Sequence, residues 1–450
     1  MSHHPALAEL VHRQGEQQPT MYGQIDFDVA PYRLALRHDD LSALPDWLGV
    51  DRDELLADET VVELFATTTM LGDTVADPYA ALLSEHSLKH LVDMLVRACQ
   101  GGIESVPEAP PELRAFIAAM EQKPAWLDMG MVEKGARAAR VQAALLAPFI
   151  TRGAFVATFM NTYAALPMAL TGALTGARAA HRVNETTSFF AVTTQPGALD
   201  RHGPGFQAAA MVRLMHSMVR FHALTRSERW DPAVYGVPVP QVDQLPANYI
   251  TTFLLAHRVL RSGRTYFTST ERAMVEFARY RGFLLGLPEE LLPTEPEQIV
   301  QVFYTWGALL RGGFDDETCG QLVRSTMAAY LRPTRSWPDR IADEVEKSYS
   351  KAFFLRAFAG GKTAVAHEMG VDFGRADVAR IAATAPFVLG RYIAVGQARR
   401  VPVLRKSVDA YLVRMVERRL RQYGKAEYTT DGSSYADAQR PHAPARGTTV

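Results

Sequence analysis

Along most of this chain apolar residues recur at i, i+3, i+4 and i+7, and few windows alternate apolar with polar, so the pattern predicts helix after helix and little sheet. From about Pro45 to Gly424 the helical windows are separated only by short Pro- and Gly-bearing breaks, and no period of roughly 20–50 residues marks a solenoid. Residues 1–41 read as an irregular N-terminal segment with one short helical window over residues 7–12. Thr60 and Glu63 have the spacing of a capping box at the start of a helix. Residues 402–423 predict a long amphipathic helix that buries Leu404, Val408, Tyr411, Met415 and Leu420 and turns its arginines outward. Beyond Gly424 the composition is polar and Gly/Ser/Pro-rich, so residues 425–450 read as a disordered tail. The fold class is therefore all-α, a large single-domain helical bundle over residues 42–424.

Residues 153–177 carry no charge and are long enough to cross a bilayer by length alone. Asn161, Thr158, Thr162, Tyr163 and Pro167 dilute the run, so it reads as a buried core helix, or two helices meeting near Pro167. Composition narrows the picture further. A net charge of -1 with 48% hydrophobic residues describes a globular protein without the basic excess of a nucleic-acid binder. The two cysteines, Cys99 and Cys319, form no C-x-x-C pair, which sets aside a disulfide scaffold and covalent c-type haem attachment. The first twenty residues lack a positive region followed by an apolar core, so no secretory signal is read and the expected location is cytoplasmic.

The candidate chemistry lies in residues 180–224, which read as two helices around a loop broken by Pro196, Gly197, Gly203, Pro204 and Gly205. On the first helix Arg182, Glu185 and Thr186 stand at i, i+3 and i+4 and share a face. On the second, His216 lies in the stripe of Val212, Met215, Val219 and Ala223, with Arg213 and Arg220 about a turn to either side. By itself such a histidine is either a hydrogen-bonded core residue or a ligand. Two other motifs are set aside. His86 and His90 are spaced i, i+4 but lack the glutamate of a zincin, so they read as a surface or structural pair. Gly361-Lys362-Thr363 has Arg356 where a phosphate-binding loop needs glycine.

The pattern Arg182-x-x-Glu185-Thr186, followed by Val212-Arg213-Leu214-Met215-His216-Ser217-Met218-Val219-Arg220, resembles the latex-clearing protein (rubber oxygenase) and mpaB-type oxygenase family. The likeness extends to Gly72-Asp73-Thr74-Val75-Ala76-Asp77-Pro78, Pro124-Ala125-Trp126-Leu127-Asp128, Gly236-Val237-Pro238-Val239-Pro240-Gln241-Val242-Asp243 and Arg281-Gly282-Phe283-Leu284-Leu285-Gly286-Leu287-Pro288. The resemblance implies a globin-like helical core holding haem b without covalent attachment. His216 is then the proximal axial ligand of the iron, Arg213 and Arg220 meet the propionates, and Arg182, Glu185 and Thr186 form the distal catalytic face where dioxygen and an apolar substrate meet.

Two departures stand out. The latex-clearing proteins have lysine at the position of Glu185, and residues 153–184 contain no Asp or Glu to match the glutamate proposed as base in that family. Polyisoprene cleavage is thereby put in question, and Glu185 becomes the candidate distal acid/base. The expected function is a haem-dependent oxygenase acting on an apolar, unsaturated lipid or isoprenoid. A haem peroxidase or peroxygenase and a non-catalytic haem or lipid carrier are the alternatives. The basic helix over residues 402–423 adds an expectation of peripheral membrane contact.

Overall fold

The computed structural model describes residues 2–172, 178–424 and 426–428. Among the described residues there are helices and no strand, with isolated bridges pairing Leu34 with Leu310 and Ser42 with Arg311. The all-α expectation holds. At the centre runs the helix Pro204–Arg226, in which every residue from 208 to 223 is buried except His216. Leu91, Leu95, Phe116, Phe206, Tyr249 and Leu284 belong to the large apolar cluster around it. The helix Arg178–Val192 joins three cores: Phe189 enters the central cluster, Ala179 and Val183 a second one, and Ala191 a third shared with Leu412 and Val416 of the last helix.

Two helix crossings depend on the absence of a side chain. A Cβ on Gly135 would lie 1.9 Å from the carbonyl oxygen of Ala273, and one on Gly153 would lie 2.3 Å from that of Ser350. Any larger residue at either point forces the packed backbones apart.

The segment read as irregular is partly helical and belongs to the core. Pro5–Gln17 forms a helix that buries Leu7, Val11 and Gln14. The Gln14 amide donates to the Met70 carbonyl at 2.6 Å and accepts from Gly72 N–H at 2.9 Å. Leu7 and Val11 sit at the i, i+4 spacing of a one-sided helix, a signal too short to outweigh the polar residues around it. The capping box at Thr60 is not formed. Asp58 caps the helix Glu59–Thr69 instead, and Glu63 accepts from the backbone N–H of His3 at 2.9 Å, tying the N-terminus down.

The uncharged run 153–177 is broken before Pro167: the helices Ala147–Val156 and Thr162–Leu170 meet at Asn161, which caps the second. Its last five residues, and all of the 425–450 tail except residues 426–428, lie outside the described residues. The helix Pro402–Tyr423 has the expected ends but shifted burial: Leu412 and Val416 are buried, whereas Leu404 is exposed. Arg419 turns inward, its Nε donating to the Ala144 carbonyl at 2.8 Å.

Beneath the second core Arg152 pairs with Asp343 at 2.5 Å and Arg332 with Glu346 at 2.6 Å. Burial raises Glu346 to about 7, outweighing the opposing pull of Arg332 and Arg152. The folded protein therefore holds this proton where the unfolded chain has released it, so the contribution is complete below the ordinary carboxylate range and is lost as pH rises through about 7. Glu346→Gln is expected to flatten stability over that window and to raise it at pH 8 by up to about 3 kcal/mol, read by denaturant titration at both pH extremes.

Candidate functional site

Between residues 208 and 223 of this helix His216 is the one residue that is only partly buried. Its Nδ1 lies 3.0 Å from Gln244 Oε1, Gln244 Nε2 donates to Gln241 Oε1 at 2.8 Å, and Gln241 Nε2 donates to the Gly72 carbonyl at 3.0 Å. A backbone carbonyl only accepts, so this chain has one direction. Gln241 must turn its NH2 to Gly72, Gln244 must turn its NH2 to Gln241, and the oxygen left on Gln244 must receive a proton from His216 Nδ1. The tautomer is fixed and the Nε2 lone pair is bare. Burial pushes the imidazole down to about 3, helped by Arg220 and Arg182, so it is neutral at any ordinary pH.

Buried ion pairs hold this helix on both sides of the imidazole. Arg213 forms a bidentate pair with Asp73, with Nη2 to Oδ1 at 2.9 Å. Arg220 spends its three nitrogens on Asp77 at 2.8 Å, the Val239 carbonyl at 2.7 Å and Ser217 Oγ at 2.9 Å. Burial works to raise Asp73, but Arg213 holds it below its ordinary range; Asp77 is raised by burial despite Arg220, with Asp73 adding repulsion. In this structure the two guanidiniums thus face carboxylates of the 72–78 loop and are not free to meet propionates, which is where the sequence reading placed them. That loop admits no side chain at Gly72, where a Cβ would lie 2.2 Å from the Tyr22 hydroxyl. Val239 adopts φ 47, an uncommon conformation for a β-branched residue, and offers its carbonyl to Arg220.

The helix Arg178–Val192 packs against the imidazole helix and carries Arg182, Glu185 and Thr186. Arg182 Nη2 lies 3.2 Å from Met215 Sδ, next to His216 in sequence, and Nη1 lies 3.3 Å from Glu185 Oε2. Its buried Nε has no hydrogen-bond partner among the described residues. Glu185 is 5% exposed, with His181 Nε2 at 3.3 Å from Oε1. The same Oε1 accepts the backbone N–H groups of Glu427 and Tyr428 at 2.8 and 3.0 Å. A stretch read as disordered tail therefore returns to cover the predicted distal carboxylate, and Tyr428 is buried in the central cluster. Thr186 is half-buried.

The structure thus brings Arg182, Glu185 and His216 into one region, with Arg213 and Arg220 behind it. Sequence reasoning missed Gln241, Gln244, Asp73, Asp77 and Tyr428 as parts of the site. It also left out Arg281, which is buried with Nε on Asn248 Oδ1 at 2.8 Å and rests over Phe190 at 4.7 Å without a carboxylate partner among the described residues. Burial alone brings its guanidinium down to about 10. The signal for the glutamines was their i, i+3 spacing beside a proline-rich turn, which no local rule distinguishes from a solvated face. His86 and His90 are exposed, and no three of His, Cys, Asp or Glu gather as a metal group among the described residues.

The fold is all-helical, and its site sets a neutral imidazole with a bare Nε2 near a guanidinium. Residues 140–388 match the family model described as "ER-bound oxygenase mpaB/B'/Rubber oxygenase, catalytic domain", more than half of the chain, and the chain belongs to that family. The structure is similar to that of Latex Clearing Protein LCP in the closed state, with a TM-score of 0.53 and 18% identity over 78% of this chain and 91% of that one, a likeness of fold. No curated protein matches the chain. The family match includes Arg182, Glu185, His216, Gln244 and Arg281; Asp73 and Asp77 precede it.

Proposed function

We propose that this oxygenase depends on haem b and acts on an apolar, unsaturated lipid or isoprenoid with dioxygen as oxidant. The observation that carries the reading is the one-way chain from the Gly72 carbonyl through Gln241 and Gln244, which leaves His216 Nε2 as a bare donor. Two further features fit the group. His216 is the partly open residue in a helix that is otherwise buried, Arg182 Nε is a buried donor without a hydrogen-bond partner, and Arg281 is buried without a carboxylate partner among the described residues. His216 would hold the iron, and Arg281, not Arg213 or Arg220, is the cation we assign to the cofactor's carboxylates.

When bound, haem b supplies the redox chemistry of dioxygen activation. Gln244 keeps the imidazole in one orientation and one tautomer. Arg182 orients the Glu185 carboxylate through Nη1, and Glu185 Oε2 holds or delivers the proton on that face. The N–H groups of Glu427 and Tyr428 occupy Oε1, with Tyr428 buried over it. Thr186 stands one residue further along the same helix and is assigned a substrate-orienting role.

Glu185→Gln keeps the shape and removes the proton. It is expected to leave the Soret band intact and to lower turnover by about 10²–10⁴; full activity with unchanged haem would end the acid/base role. The Arg182–Glu185 pair also favours a second reading, a peroxygenase, because a carboxylate beside a guanidinium can move a proton between two oxygens. Product formation with dioxygen and a reductant, but not with hydrogen peroxide, is the expected result.

A further inference from the structure

The helix Arg375–Ala398 reverses the usual arrangement of a surface helix. Its bonded side is tied to the body: Asp377 accepts from Ser348 at 2.7 Å and pairs with Lys351 at 3.3 Å, and Thr384 Oγ1 meets the Tyr349 hydroxyl at 3.2 Å. The opposite face is apolar and open. Val378, Ala382, Pro386, Leu389 and Ile393 follow one another at helical spacing, with Ile393 59% and the adjoining Phe387 77% exposed. The helix is apolar enough to pass as a membrane span, yet its tethers to the body make it a helix that lies along a surface and does not cross one. The turn that follows continues the face: Val401, Val403 and Leu404 are exposed, Val403 at 87%.

Charge identifies what covers this face. From residue 378 to residue 408 the chain has Arg380, Arg391, Arg399, Arg400, Arg405 and Lys406 and no aspartate or glutamate, in a protein whose net charge is -1. Arg380 is paired with Glu344 and Asp377 and Arg399 with Asp409, which leaves Arg400, Arg405 and Lys406 as the exposed cations of the tip. The tip reads Arg399-Arg400-Val401-Pro402-Val403-Leu404-Arg405-Lys406, an apolar wedge between two basic pairs. A second copy of this surface would bring like charges together, whereas an anionic bilayer accepts the wedge below its headgroups and the cations at them. We propose that the hairpin formed by Arg375–Ala398 and Pro402–Tyr423 is a membrane-docking surface for anionic phospholipid. The last helix carries the wedge at one end, and the chain leaving its other end reaches Glu185. The docking surface rests on the proposed function only for its purpose, the delivery of a substrate dissolved in lipid.

The test is flotation of the full-length protein with vesicles of phosphatidylcholine alone and of phosphatidylcholine mixed with phosphatidylglycerol. Binding is expected only to the mixed vesicles and is expected to weaken with salt. Val403→Ser with Leu404→Ser is expected to weaken it by about tenfold or more, at about 0.8 kcal/mol for each CH2 withdrawn from the bilayer. Arg400→Gln with Arg405→Gln is expected to weaken it by about fivefold per charge. All four side chains are exposed, so circular dichroism and melting should match the parent protein. Equal flotation with neutral vesicles, no flotation at all, or a dimer that Phe387→Glu disperses would each overturn the proposal. Flotation does not read the cofactor: a colourless protein that floats overturns the haem assignment alone, and a coloured one that stays in the soluble fraction overturns the docking surface alone.

Discussion

His216→Ala is expected to yield a folded protein with no Soret band after reconstitution with haem b and with no oxygenase activity. The fold should survive because this imidazole is only partly buried, and its hydrogen bond to Gln244, at 3.0 Å, leaves an amide that still has Gln241 as a partner. Cofactor binding should not survive, because the variant removes the side chain proposed to hold the iron. His222, on the same helix, is buried where its side chain cannot reach the same point, since six positions place it well over a turn away and on another face. Added imidazole should restore part of the spectrum by filling the vacated volume. Gln244→Leu tests the relay itself: the ligand stays, the tautomer is released, and iron affinity should fall by about 10- to 100-fold. A His216→Ala protein with an unchanged spectrum would sink the haem assignment.

Arg220→Met is expected to cost about 3–5 kcal/mol of stability, because it leaves Asp77 buried beside Asp73 without its cation. Asp77 is 1% exposed and Arg220 fully buried, so neither side can recruit water as a substitute. A loss of that size is a large share of the roughly 5–15 kcal/mol that holds a typical domain together. The double variant Arg220→Met with Asp77→Asn should recover much of it, since both charges are then gone and the amide keeps the size of Asp77 and an oxygen to accept from Tyr22 and from Asp73 N–H. Denaturant titration of the three variants decides this; a single variant as stable as the parent would mean that the pair does not brace the imidazole helix.

The helical pattern was legible wherever burial is one-sided and repeats over several turns. The ends of the helix Pro402–Tyr423 and the placement of Arg182 and Glu185 on one face follow from spacing alone. Where little more than one turn had to decide, as at Leu7 and Val11, the pattern marked only residues 7–12 of a helix that runs Pro5–Gln17. Burial was misjudged on the helix Pro402–Tyr423, where Leu404 is exposed and Leu412 and Val416 are buried, because periodicity reports which residues share a face and not what lies against it.

By itself the sequence determined an all-helical protein with one imidazole in an apolar stripe of one helix and an arginine and a glutamate on one face of another, because those facts are set by residues within a few positions of one another. Tertiary structure alone decided their partners. Asp73 claims Arg213 across 140 positions, Gln244 fixes the proton of His216 across 28, and residues 427 and 428 reach Glu185 across more than 240. A hydrogen bond or ion pair between distant segments depends on how helices cross, and helix crossings are settled by packing of the whole core, which no local periodicity encodes.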